Sequence, residues 1–135
     1  MSPIITLLTD FGSVDSYVAE VRAVLLSHAH AAQVVDISHE VPPGDVRAAQ
    51  YVLSRVWYRF PVGSVHLAVV DPGVGSDRRG VALRAADGRF LVGPDNGLLS
   101  LAAERAGGVI DAVDIGRSPF ALPYVTVAFR AARTD

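Results

Sequence analysis

Apolar and polar positions along the chain follow two different periods. Ile4-Ile5-Thr6-Leu7-Leu8 is apolar and β-branched and stops at Asp10, Gly12 and Ser13. Such a run reads as a strand buried on both faces and followed by a loop. Residues 17–26 change period: Val18, Val21, Val24 and Leu25 recur at offsets of three and four, the spacing of an amphipathic helix. Asp15 or Ser16 can cap it. Residues 34–37 read as a second short strand. Pro42-Pro43-Gly44-Asp45 is a turn whose Asp45 caps a helix over about 46–58, and residues 65–70 form a third strand running into Asp71-Pro72-Gly73. Residues 80–83 and 90–92 pair around the Asp87-Gly88 turn. A short helix follows over 97–105, and a further strand over 109–113.

Strands alternating with helices predict an α/β domain, a largely parallel sheet with flanking helices. In such sheets ligands sit outside the carboxyl ends of the strands. Asp10-Phe11-Gly12 and Asp71-Pro72-Gly73 fall at such ends. Residues 115–135, with Pro119, Pro123 and the Ala/Arg-rich Ala128-Phe129-Arg130-Ala131-Ala132-Arg133, do not close a domain. Residues 1–135 are therefore expected to be a single, incomplete domain.

Composition narrows the chemistry. Half of the 135 residues are apolar and 19% are charged, which suits a folded, soluble domain. No apolar run approaches the ~20 residues of a membrane span, and the first residues do not read as a secretion signal. There is no cysteine and no lysine; all twelve basic residues are arginine. Thiolate metal sites, cysteine nucleophiles, Schiff-base lysines and a P-loop lysine are thereby excluded. A net charge of −2 gives no general attraction for nucleic acid. The expectation is a cytoplasmic protein working with carboxylates, arginines, histidines and backbone groups, without membrane or nucleic-acid partners.

Three clusters could carry chemistry. Asp10, with Phe11, Asp15 and Tyr17 behind it, could accept both hydroxyls of a ribose; Asp10 as a turn residue and Asp15 as a helix cap are the plainer alternatives. In Asp71-Pro72-Gly73-Val74-Gly75-Ser76-Asp77-Arg78-Arg79, an arginine beyond the glycine turn can fold back on Asp71. Such a pair can orient and polarise a water, or only fix the loop. Asp95 and Asn96 lie between a strand and a helix, where they could meet a ligand or cap the helix. The four histidines are expected to be structural or superficial. Asp36-Ile37-Ser38-His39 holds a possible ligand pair, but two residues do not make a metal site, and none is expected.

Taken in order, Thr9-Asp10-Phe11-Gly12, Asp15-Ser16-Tyr17-Val18, Val35-Asp36-Ile37-Ser38-His39-Glu40-Val41-Pro42-Pro43, Val69-Val70-Asp71-Pro72-Gly73-Val74-Gly75-Ser76 and Pro94-Asp95-Asn96-Gly97-Leu98-Leu99 resemble one family. It is the S-adenosyl-L-methionine (SAM) hydrolases, or SAM hydroxide adenosyltransferases, relatives of the SAM-dependent fluorinase and chlorinase. The match is strongest over residues 4–101. The resemblance implies Rossmann-like layering and hydrolysis of SAM to adenosine and methionine by water attacking C5′ of the ribose. SAM is then the substrate and no cofactor is needed. The resemblance assigns Asp71 and Arg78 to water activation and Asp10 to the ribose hydroxyls. It puts Asp15 and Tyr17 near the methionine end, with Phe11, Asp95 and Asn96 as further substrate contacts. Halogenases carry another residue where Asp71 stands, and a carboxylate there would repel a halide.

The family continues with a Phe-His-Gly-Arg-Asp segment, whereas this chain reads Ala128-Phe129-Arg130-Ala131-Ala132-Arg133, without histidine. The family's smaller C-terminal β-barrel domain is absent from the 135 residues, and its complete members are implied to be homotrimers. Truncation is the expected reason. A fragment acting as a binding or assembly module is the alternative to an active enzyme, and a halogenase the more distant one.

Overall fold

The computed structural model describes residues 2–73 and 79–117. The chain runs β1 (Ile4–Thr9), α1 (Tyr17–His28), β2 (Gln33–Ser38), α2 (Val46–Val56), β3 (Val65–Val69), β4 (Gly80–Ala85), β5 (Phe90–Pro94), α3 (Ser100–Arg105) and β6 (Val109–Asp114), with single 3-10 turns at Trp57–Arg59 and Ile115–Arg117. The strands form one sheet in the order β2-β1-β3-β5-β4-β6. β2, β1, β3 and β5 are mutually parallel, and β4 runs antiparallel to both β5 and β6. The expected α/β class with a largely parallel sheet is what the chain adopts.

Side chains alternate across a strand, and the core divides accordingly. Ile5, Leu7, Leu67, Val69 and Val92 pack with Val21 and Leu25 of α1 on one face. Leu8, Ala68, Val70 and Leu91 pack with Ala49 and Leu53 of α2 and Ala102 and Ala103 of α3 on the other. Leu7, Leu8 and Leu67 are almost wholly buried, each contributing about 1.5–3 kcal/mol. The unbroken apolar reading of β1 thus reflects burial on both faces. At the other end of the sheet β6 leaves Ile110 and Val113 exposed, at 59% and 56%.

Helix starts follow local chemistry. Asp45 caps α2 as expected, its Oδ1 accepting the N–H of Ala48 at 3.0 Å. Ser16 occupies the N-cap position of α1 without a side-chain cap bond. The expected helix over 97–105 begins only at Ser100, because Gly97 has φ +89° and cannot be part of a right-handed helix. No helix among the described residues is long and apolar enough to cross a membrane.

Candidate active site at the sheet switch point

The four parallel strands end on one edge of the sheet. From β1 the chain passes through α1 to β2 on one side, then through α2 to β3 on the other side of β1. The ends of β1 and β3 therefore flank a topological switch point, where α/β sheets bind ligands. Asp10 follows β1 directly and Asp71 lies just past β3.

The turn after β2 closes over this point. Gly44 donates its N–H to Asp10 Oδ2 at 2.7 Å. Its φ is +73°, and a Cβ there would stand 3.3 Å from Cβ of Pro72. Only glycine is unstrained with this backbone and this neighbour. Asp10, Gly44 and the Asp71-Pro72 loop are thereby packed together. Asp10 Oδ1 accepts no hydrogen bond among the described residues. Asp71 is partly exposed, and its Oδ1 accepts the N–H of Gly73 at 2.8 Å, which sets the loop's first turn.

Asn96 ties the β5 loop to the same edge. Its amide donates to the carbonyl of Val70 at 3.0 Å, and its Oδ1 accepts the N–H of Leu98 at 3.0 Å. Asp95 is paired with Arg79, Oδ2 to Nη2 at 2.9 Å, with both side chains at least half exposed. Such an exposed pair adds little stability.

Phe11 and Tyr17 meet edge to face, with ring centroids 6.2 Å apart. Tyr17 is 42% exposed. Asp15 is exposed and its Oδ1 accepts from the backbone N–H and hydroxyl of Ser16. Arg78, the expected partner of Asp71, lies outside the described residues, as do Val74 to Asp77 and the segment from Ala128 to Arg133. The geometry therefore gathers Asp10, Asp71 and Asn96 around the switch point. Phe11 and Tyr17 form an aromatic pair beside Asp10 in sequence, and Asp95 faces Arg79.

A hydrogen-bonded chain that the sequence reading did not single out stands behind Asp10. Thr9 Oγ1 lies 2.7 Å from His39 Nδ1 and also accepts the N–H of Phe11 at 3.2 Å. His39 Nε2 lies 2.9 Å from Asp36 Oδ1, which also receives Arg22 Nη1 at 3.0 Å. The carbonyl of His39 accepts the N–H of Gly12 at 2.7 Å. The motif Asp36-Ile37-Ser38-His39 held the signal, but as an acid–imidazole pair rather than a pair of metal ligands. Among the described residues no group of three or more metal-binding side chains comes together.

His66 sits elsewhere, buried within the sheet, with Nδ1 2.7 Å from Thr6 Oγ1. Burial, reinforced by the Arg89 guanidinium, lowers its pKa to about 4. It is a neutral core histidine.

The chain is similar to several known proteins. Residues 5–131 match the family described as SAM hydroxide adenosyltransferase N-terminal domain. A relative from Salinispora tropica, named (R)-S-adenosyl-L-methionine hydrolase, is 50% identical over 114 residues, covering 84% of this chain and 43% of the relative. A protein from an Actinoplanes species named fluorinase is more remote, 29% identical over 140 residues, covering 87% of this chain and 46% of its own length. The crystal structure of an uncharacterized conserved protein from Thermotoga maritima superposes with a TM-score of 0.87 at 36% identity, covering 96% of this chain and 52% of that one. The chain thus spans less than half the length of the curated relatives it matches. On its sequence and its fold, it belongs to the SAM hydroxide adenosyltransferase family and matches that family's N-terminal domain.

Proposed function

We propose that this chain supplies the ribose-binding and water-orienting edge of a SAM hydrolase. The observation that carries the reading is Asp10 at the switch point. One carboxylate oxygen is held by Gly44 and the other is without a hydrogen bond among the described residues, beside the loop that presents Asp71. A carboxylate so placed can accept the ribose 2′ and 3′ hydroxyls. Binding the sugar fixes C5′, and the remaining task is to aim a water along the C5′–S axis.

Asp71 accepts a hydrogen bond from that water and takes up its proton as the O–C5′ bond forms. The C5′–S bond breaks, and its electron pair stays on sulfur. Methionine leaves as a neutral thioether, so the leaving group needs neither acid nor metal. Arg78 is assigned to water activation together with Asp71. Asp15 and Tyr17 are assigned to the methionine end, and Phe11, Asp95 and Asn96 to further substrate contacts. A carboxylate at residue 71 disfavours a halide nucleophile, and the higher identity to relatives named hydrolases than to those named fluorinases supports water. The complete enzyme is proposed to be a cytoplasmic homotrimer in which this domain binds SAM.

The test is to incubate the complete enzyme, of which this chain is the N-terminal domain, with SAM and separate the products by chromatography. Equimolar adenosine and methionine are expected. A 5′-halo-5′-deoxyadenosine, formed only in the presence of halide, would overturn the assignment of water as nucleophile.

A further inference from the structure

We infer that His39 is a positioning residue that holds the Asp10 carboxylate in its ribose-binding orientation, acting through Thr9. The inference rests on the ribose reading of Asp10 and adds a residue to it. His39 grips the Asp10 segment on both sides. Before Asp10, its Nδ1 meets the Thr9 hydroxyl at 2.7 Å; after it, its carbonyl accepts the N–H of Gly12 at 2.7 Å.

The direction of each hydrogen bond follows from the donor inventory. The Asp36 carboxylate can only accept, so His39 Nε2 carries the ring proton toward Asp36 Oδ1 at 2.9 Å. Nδ1 is then left to accept the Thr9 hydroxyl proton, while Thr9 Oγ1 itself accepts the Phe11 N–H. Arg22 Nη1 bonds the same Asp36 oxygen at 3.0 Å. The carboxylate therefore fixes both the tautomer and the ring plane of His39, as an outer partner does for a metal-bound or catalytic imidazole.

Hydroxyl, imidazole and carboxylate in series look like a nucleophilic triad. They cannot serve as one here, because Thr9 is 1% exposed and its oxygen is already engaged. What the chain can do is remove freedom from residues 9–12. A carboxylate that must meet two sugar hydroxyls gains from being held before the ligand arrives.

The experiment uses the 135-residue chain and its His39→Ala and His39→Asn variants. Asparagine places an oxygen near the position of Nδ1 and so keeps the acceptor for Thr9. Amide hydrogen exchange is read at Phe11 and Gly44, whose N–H groups bond Thr9 and Asp10. In His39→Ala, exchange at both should speed up about tenfold or more, and adenosine affinity should fall about tenfold; in His39→Asn both should stay within about threefold of wild type. Should the alanine variant not fold, His39→Gln replaces it, since glutamine reaches Asp36 but offers nothing at the Nδ1 position. Unchanged exchange at Phe11 and Gly44 would overturn the inference, as would equal effects of the two substitutions. If exchange responds as expected but the wild-type chain binds no adenosine, the positioning role stands and the ribose reading of Asp10 falls.

Discussion

Gly44 donates its backbone N–H to the Asp10 carboxylate at 2.7 Å, across thirty-four positions of sequence. This bond joins the turn before α2 to the end of β1 and engages Oδ2, while Oδ1 accepts no hydrogen bond among the described residues. Gly44→Ala should disturb it. An alanine at φ +73° with its Cβ against Pro72 costs about 1–2 kcal/mol. A melting temperature lower by about 3–8 °C is expected, together with weaker adenosine binding. Calorimetry on the variant checks both, and an unshifted melting temperature would mean that the turn relaxes freely.

Asp71→Asn separates chemistry from folding. Asparagine keeps an oxygen for the Gly73 N–H, so the loop turn should survive. It no longer offers a carboxylate to water, and SAM turnover by the complete enzyme should fall about 10²-fold or more. Near-normal turnover with an unchanged melting curve would remove Asp71 from the reaction.

Asn96 holds the end of β3 to the β5 loop through two part-buried hydrogen bonds. Asn96→Ala should cost about 1–3 kcal/mol, since the Val70 carbonyl and Leu98 N–H lose their partner. Urea unfolding measures this. A change below about 0.5 kcal/mol would place Asn96 with ordinary surface residues.

His66 should make stability depend on acid. Its folded pKa of about 4 lies below the ordinary value of 6.5. Between these values the unfolded chain binds the extra proton, so stability rises with pH across that window and is lost as pH falls from about 6.5 toward 4. The loss amounts to about 3 kcal/mol once both states are protonated. NMR titration of the His66 ring should show a neutral imidazole down to about pH 4, and a midpoint near 6.5 would contradict the burial argument.

Local pattern carried most of the elements. The β1 run, the Asp45 cap and the Asp87-Gly88 hairpin each depend on residues close in sequence, where period and turn chemistry act directly. α3 began late because Gly97 adopts a left-handed backbone, which an apolar pattern does not reveal. At the proposed site, the positions of Asp10 and Asp71 at strand ends were legible because both follow buried strands. Asn96 was legible as a polar loop residue, but its grip on the Val70 carbonyl was not. His39 escaped because its partner Thr9 lies thirty positions away. The two meet only when β1 and β2 lie side by side in parallel.

The central claim, a ribose carboxylate at the switch point, is tested most directly by titrating the chain calorimetrically with adenosine and with 2′,3′-dideoxyadenosine. Two charge-assisted hydrogen bonds to Asp10 should make adenosine bind about tenfold or more tightly than the dideoxy compound, a preference that disappears in Asp10→Ala. Equal affinity for the two nucleosides in the wild-type chain, or a preference that survives in Asp10→Ala, would contradict the assignment.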